Sequence, residues 1–184
     1  MAESVDELFK LANQARLEHR PDDAKLQLIE AVALCRESGV PLDLAKAVTA
    51  LGQIERDLHH GDAALQHYEE ALVIYQAEGD GLRVAHTIRH VGDIHLDVGR
   101  LDLAEPCYHA ALEIYRQDKL TPPLDLANTI RGLAILKFDT GENEQAKLLW
   151  EEAGQLYASV NVEAGVAESK RRLALLEQRR DHND

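Results

Sequence analysis

Apolar residues along this chain fall at helical spacing, in short runs broken by glycine, proline or polar clusters. Ile88, Val91, Ile94 and Val98 make one stripe, and Ala104, Tyr108, Ala111, Leu112 and Tyr115 make the next. The pair of stripes recurs. Leu11-Ala12, Leu51-Gly52, Val91-Gly92 and Leu133-Ala134 stand in one register. Twelve residues after each small residue comes Ala24, Ala64, Ala104 or Ala146. Then follow a large residue (Leu28, Tyr68, Tyr108, Trp150), a second alanine (Ala31, Ala71, Ala111, Ala153) and Cys35, Tyr75, Tyr115 or Tyr157. Leu173-Ala174 opens a fifth copy without a second half. Self-similarity at a fixed period is the mark of stacked structural repeats.

The breakers divide each copy into two helices. Pro21, Gly61, Gly99 and Gly141 are expected between first and second helices. Ser38-Gly39-Val40-Pro41, Gly79-Asp80-Gly81 and Thr121-Pro122-Pro123 are expected between copies. Each second helix opens with an acid (Asp22, Asp62, Asp102, Glu144), suited to capping free N–H groups and to the helix dipole. Ser4 with Glu7 reads as a capping box. The result is an all-α chain of four antiparallel helix pairs and a closing helix, about nine helices. Small residues let the backbones approach, and the large residue of each second helix fills the space between.

These residues resemble the tetratricopeptide repeat (TPR) family, whose motif has a Leu-Gly pair, a turn glycine, then Ala, an aromatic and Ala. Val91-Gly92, Gly99, Ala104, Tyr108 and Ala111 match throughout. His19 and His59 stand where the first two copies would have the turn glycine, and Ala12 and Ala134 replace the first glycine. The copies step by 40, 40, 42 and 40 residues, similar to the longer-helix variety found in kinesin light chains. The resemblance implies a right-handed superhelix, an α-solenoid. It would form one TPR domain over 1–184, with repeats at about 5–40, 41–81, 82–123 and 124–164 and a closing helix at 165–180. It also implies a concave groove lined by first helices that binds peptides or partner helices. In this register the groove residues are Asn13, Arg16, Lys46, Thr49, Gln53, Arg56, His86, Arg89, His90, Asp93, Asp97, Asn128, Arg131, Arg171 and Arg172. Of the family's carboxylate clamp for chaperone tails only Asn13 matches. Phe9 stands in place of the lysine, so that activity is not implied.

Arg89, Arg131 and Arg171 share one register in three consecutive copies. As a ladder they would suit an acidic segment or a terminal carboxylate, since a guanidinium can bond both oxygens. Alternatively they offset neighbouring acids such as Asp93 and Asp97. His86, His90, Asp93 and Asp97 share one helix face, but no second ligand cluster joins them, and no metal or cofactor is expected. G-x-S-x-G, G-x-x-x-x-G-K-[ST], H-E-x-x-H and C-x-x-C are all missing, so no enzyme is expected. Tyr75, Tyr115 and Tyr157 read as packing residues, and His59-His60 as a solvated corner.

Composition narrows the partners. The formal net charge of −13 disfavours nucleic acid and anionic membranes. No apolar run approaches the ~20 residues of a membrane span, and residues 1–10 lack the order of a signal peptide. Cys35 and Cys107 read as reduced core thiols, so the expected compartment is the cytoplasm. The function expected is a protein-interaction module or adaptor taking a protein or peptide partner, acidic ones included, as a monomer or weak homodimer. The alternative is a self-associating assembly subunit, suggested by Val166, Leu173, Leu175 and Leu176 on a closing helix that no further helix covers. The tail from Arg179 to Asp184 is polar and expected to fray.

Overall fold

A computed structural model describes residues 4–181; the end of the polar tail, 182–184, lies outside the described residues. Nine helices and no strands occur among the described residues. They are α1 (Val5–Leu17), α2 (Pro21–Ser38), α3 (Pro41–Asp57), α4 (Gly61–Ala77), α5 (Gly81–Asp97), α6 (Leu101–Gln117), α7 (Pro123–Asp139), α8 (Asn143–Ser159) and α9 (Glu163–Asp181). Two compact units make up the chain, Met1–Thr87 and Ile88–Asp184, and the division falls within α5.

The turns are tighter than the breakers suggest. Pro21, Pro41 and Pro123 are not turn residues but the first residues of α2, α3 and α7, where a missing N–H costs nothing. Gly61 and Gly81 likewise open α4 and α5. The left-handed position after each first helix is Gly99 (φ 73°) or Gly141 (φ 82°) in two pairs, and His19 (φ 56°) or His59 (φ 62°) in the other two. All four turns close alike. The amides of Arg20, His60, Arg100 and Glu142 each donate to a carbonyl five residues back, at 2.8 Å. That shared bond holds the two histidines in a conformation glycine reaches more easily.

Ser4 does cap α1, accepting from the Glu7 amide at 3.3 Å. The acids of the second helices do not cap. The cap positions are Arg20, His60, Arg100 and Glu142, none of whose side chains caps its helix, and the acids lie two residues further on, inside the first turn. They act only on the helix dipole.

The repeated alanines and large residues are all buried, and Leu28, Tyr68, Tyr108 and Trp150 are almost wholly inaccessible. Tyr68 lies against Gly52, where an added Cβ would stand 3.3 Å from its ring. Tyr108 sits between two glycines. A Cβ on Gly92 would meet Cys107 Cβ at 3.0 Å, and one on Gly132 would come within 2.4 Å of the ring. Gly165 of α9 stands in the same relation to Tyr157. Three apolar expectations fail. Val98 lies beyond α5 and is exposed, Cys107 is only half-buried, and α9 buries Gly165, Ser169 and Leu176 while leaving Ala174 exposed. With no helix after it, α9 needs only the stripe facing α8.

Ion pairs tie successive pairs together in register. Glu55 on α3 receives Lys25 of α2 at 2.9 Å and faces His60 Nδ1 at 2.8 Å, so that corner is not merely solvated. In the equivalent place on α7, Lys137 meets Glu105 of α6 at 2.6 Å and Glu142 at 2.8 Å. The arrangement is the same with its charges reversed. On the second helices Arg36 bonds both oxygens of Glu70, and Arg116 both oxygens of Glu152.

Two outcomes follow from these contacts. Gly132→Ala drives a Cβ into the Tyr108 ring and should destabilise the chain by about 1–3 kcal/mol; a denaturant midpoint equal to wild type would contradict this packing. Burial alone would raise the Glu55 pKa, but the bonds from Lys25 and His60 outweigh it and hold it below the usual carboxylate range. A lowered folded pKa adds stability above the unfolded value, and that stability is lost as pH falls through the folded pKa. Glu55→Gln should therefore lower the Tm at about pH 7, with the gap closing towards about pH 3. A gap independent of pH would remove the charge from the account.

Candidate binding surface on the first helices

The first helices present polar residues between positions committed to the core, and the two units treat them differently. In the N-terminal unit, α1 and α3 flank an open cleft of about 170 Å³. Its apolar lining is Phe9, Ala12, Leu28, Ala50 and Ile54, and its polar lining is Asn13, Arg16 and Gln53. Asn13 and Arg16 are exposed and Gln53 half-buried. Arg16 Nε donates to Asp57 Oδ2 at 2.9 Å, so one face of the guanidinium is tied across the two first helices. Three of the groove residues read from sequence are thus brought together over an apolar floor.

The other residues of this unit lie outside the cleft lining. Lys46 is exposed and donates to Asp43 at 3.1 Å. Thr49 donates to the Ala45 carbonyl at 2.7 Å and lies 3.4 Å from the Tyr75 hydroxyl. Arg56 is half-buried on α3, and His86 half-buried on α5.

In the C-terminal unit the same register is largely spoken for. Arg89 is only 7% exposed. Its Nη1 donates to Asp93 Oδ2 at 2.9 Å, and its Nη2 to His90 Nε2 at 2.9 Å. Because a guanidinium only donates, His90 Nε2 must accept, which places the ring proton on Nδ1, 3.6 Å from Asp93. The Tyr108 hydroxyl donates to the other Asp93 oxygen at 2.9 Å. Arg131 forks onto Glu168 of α9, at 2.7 and 3.0 Å. That pair raises the Arg131 pKa; for Glu168, burial pulls upward but Arg131 outweighs it and lowers the carboxyl. Asn128 accepts from the Tyr157 hydroxyl at 2.8 Å, and burial pushes that phenol up to about 12. Arg171 is exposed on α9 and Arg172 stacks over Phe138 and Trp150. The three arginines of one register therefore have three environments: buried and paired, half-buried and paired, and exposed.

Sequence reasoning missed Phe9 and Ile54 as cleft walls, and Asp57 and Glu168 as partners. It also missed that tyrosine hydroxyls cross to first-helix polar groups. Phe9 was legible, as an aromatic one turn before Asn13. The cross-repeat partners were not, since nothing local marks them. Among the described residues no three His, Cys, Asp or Glu side chains gather closely enough to hold a metal ion, and no helix is long and apolar enough to cross a membrane.

Residues 43–117 match the tetratricopeptide repeat model. That segment belongs to the family, and the helix pairs on either side continue its register. Solved structures agree on the fold. Aspartyl phosphate phosphatase F from Bacillus subtilis superposes with a TM-score of 0.85 at 13% identity, over 97% of this chain and 46% of that one. The Rap conjugation gene regulator of plasmid pLS20, in complex with the Phr* peptide, gives 0.79 at 17%, over 95% and 52%. A Podosopora anserina protein of kinesin-light-chain type with nearly identical TPR-like repeats gives 0.75 at 13%, over 97% and 87%. This chain thus spans about half the length of the first two. Comparison with curated proteins finds no sequence match.

The Arg131–Glu168 fork is testable by a double-mutant cycle with Arg131→Ala and Glu168→Ala. A coupling of about 1 kcal/mol in stability is expected, and additive effects would mean that the fork contributes nothing.

Proposed function

We propose that this chain is a protein-interaction module that takes a peptide or partner helix on the first-helix faces of its repeats, without catalysis. The observation that carries the reading is the α1/α3 cleft: an apolar floor rimmed by two amides and a guanidinium. An Asn or Gln amide offers both a donor and an acceptor, so Asn13 and Gln53 can pair with a peptide backbone while an apolar side chain fills the cleft. A structural neighbour that holds the Phr* peptide adds support from a chain of like fold. The proposal includes one working domain over 1–184, a cytoplasmic setting, and a monomer or weak homodimer. Affinity should be micromolar, about −8 kcal/mol.

Within this proposal the arginine open to an acidic group beside the cleft is Arg16, and in the C-terminal unit Arg171 is exposed while Arg131 is held by Glu168 and Arg89 holds His90 and Asp93 in place. The self-association reading has less to stand on. Leu176 is buried, Val166 and Leu173 pack inside, and of its four apolar residues only Leu175 stays exposed.

Selection of displayed random peptides against the wild-type chain tests the reading, with affinities then measured on an Asn13→Ala/Gln53→Ala variant. Selected peptides should lose about tenfold or more on that variant. Equal affinity for both proteins would move the site away from this cleft.

A further inference from the structure

Charge is unevenly shared between the two kinds of helix. On first helices acids and bases nearly balance: α5 sets Arg83 and Arg89 against Asp93 and Asp97, and α7 sets Arg131 and Lys137 against Asp125 and Asp139. Second helices are acidic. α4 has Asp62, Glu69 and Glu70 with no Lys or Arg, α6 has three acids against Arg116, and α8 has three against Lys147.

In the C-terminal unit a groove of about 420 Å³ interrupts this acidic face between α6 and α8. Leu112, Leu133 and Leu149 line it on the inside, and Leu148, 65% exposed, stands at its rim. The register does not demand Leu149, whose equivalents on the other second helices are Gln27, His67 and Cys107. Lys137 with Glu105 and Glu142 closes one end, and Arg116 with Glu152 closes the other. From Glu105 to Arg116 the trough runs about 16 Å along α6. Both cations at its ends are already matched or outnumbered by carboxylates, and Glu113 adds one more on the wall. Every wall is helical, so its backbone groups are already bonded and offer nothing to an extended strand. A segment that brings its own satisfied backbone, a helix, is the shape that fits.

We infer that the α6/α8 groove docks a basic amphipathic helix of a partner protein, its leucine-type side chains entering beside Leu148 and its Lys or Arg residues facing the surrounding carboxylates. This site is separate from the first-helix cleft and does not rest on it.

The test uses the full chain and two synthetic amphipathic helices of about 18 residues, one of Leu and Lys and one of Leu and Glu. Binding is followed by calorimetry at about 0.15 M salt. The Leu/Lys helix should bind wild type and the Leu/Glu helix should not. Leu148→Glu should weaken binding about tenfold or more, although it adds an acid. Leu26→Glu, at the same repeat position of α2 and 64% exposed, should not weaken it, and neither should Asn13→Ala/Gln53→Ala. Leu148 is exposed, so thermal melts should show its variant folded. Unchanged or tighter binding by Leu148→Glu would reduce the effect to bulk charge attraction and overturn the proposal. Failure of wild type to bind the Leu/Lys helix would overturn it as well.

Discussion

Close approach of backbones across small residues is the constraint on which the rest of this structure depends. A helix pair can bury a tyrosine or tryptophan between its axes only where the facing helix offers little or no side chain. Tyr108 shows the geometry most fully, with Gly92 of its own pair on one side and Gly132 of the following pair on the other. Tyr68 against Gly52 and Tyr157 against Gly165 repeat parts of it. Because the ring occupies the space, the helices around it have one depth of approach. Everything that must align between them then inherits that register: the ion pairs at Glu55 and Lys137, the tyrosine hydroxyls that reach Asn128 and Asp93, and the polar rows of the first helices.

The reversed ion pairs show how little of this depends on the sign of a charge. Lys25, Glu55 and His60 occupy the places that Glu105, Lys137 and Glu142 occupy one unit later. What persists is a buried charge on a first helix, satisfied by the second helix before it and by the turn after it. An unpaired charge there would be costly, so each substitution must be matched by its neighbours. Pairing also keeps those charges away from ligands. Arg89 is the clearest case, because its burial and its bonds to Asp93 and His90 remove it from the surface that its register suggests.

Much of the fold was legible because the repeats calibrate one another. Four copies in register marked the alanines, the large residues and the fourth-position tyrosines, and all of them are buried. Helix ends were less legible: Pro21 and Gly61 read as turn residues, whereas the actual turn residues include His19 and His59. Gly132 escaped because its role comes from a ring in the preceding pair. The candidate site was legible as a set of positions but not as a set of environments. Asn13, Arg16 and Gln53 form one cleft, yet whether an arginine is exposed depends on acids such as Glu168 that lie 37 residues away. The α6/α8 groove escaped for a related reason, since it is defined by what α8 carries where its equivalents carry Gln, His or Cys.

The most direct test of close approach is the chain's single tryptophan, Trp150, packed against Ala134, Ala146 and Leu176 with no exposed surface. Acrylamide quenching of its fluorescence measures whether that ring is enclosed. The account predicts blue-shifted emission with little quenching in the native chain, and full quenching once denaturant unfolds it. Native emission quenched as readily as that of the unfolded chain would contradict the register on which the helix pairs are built.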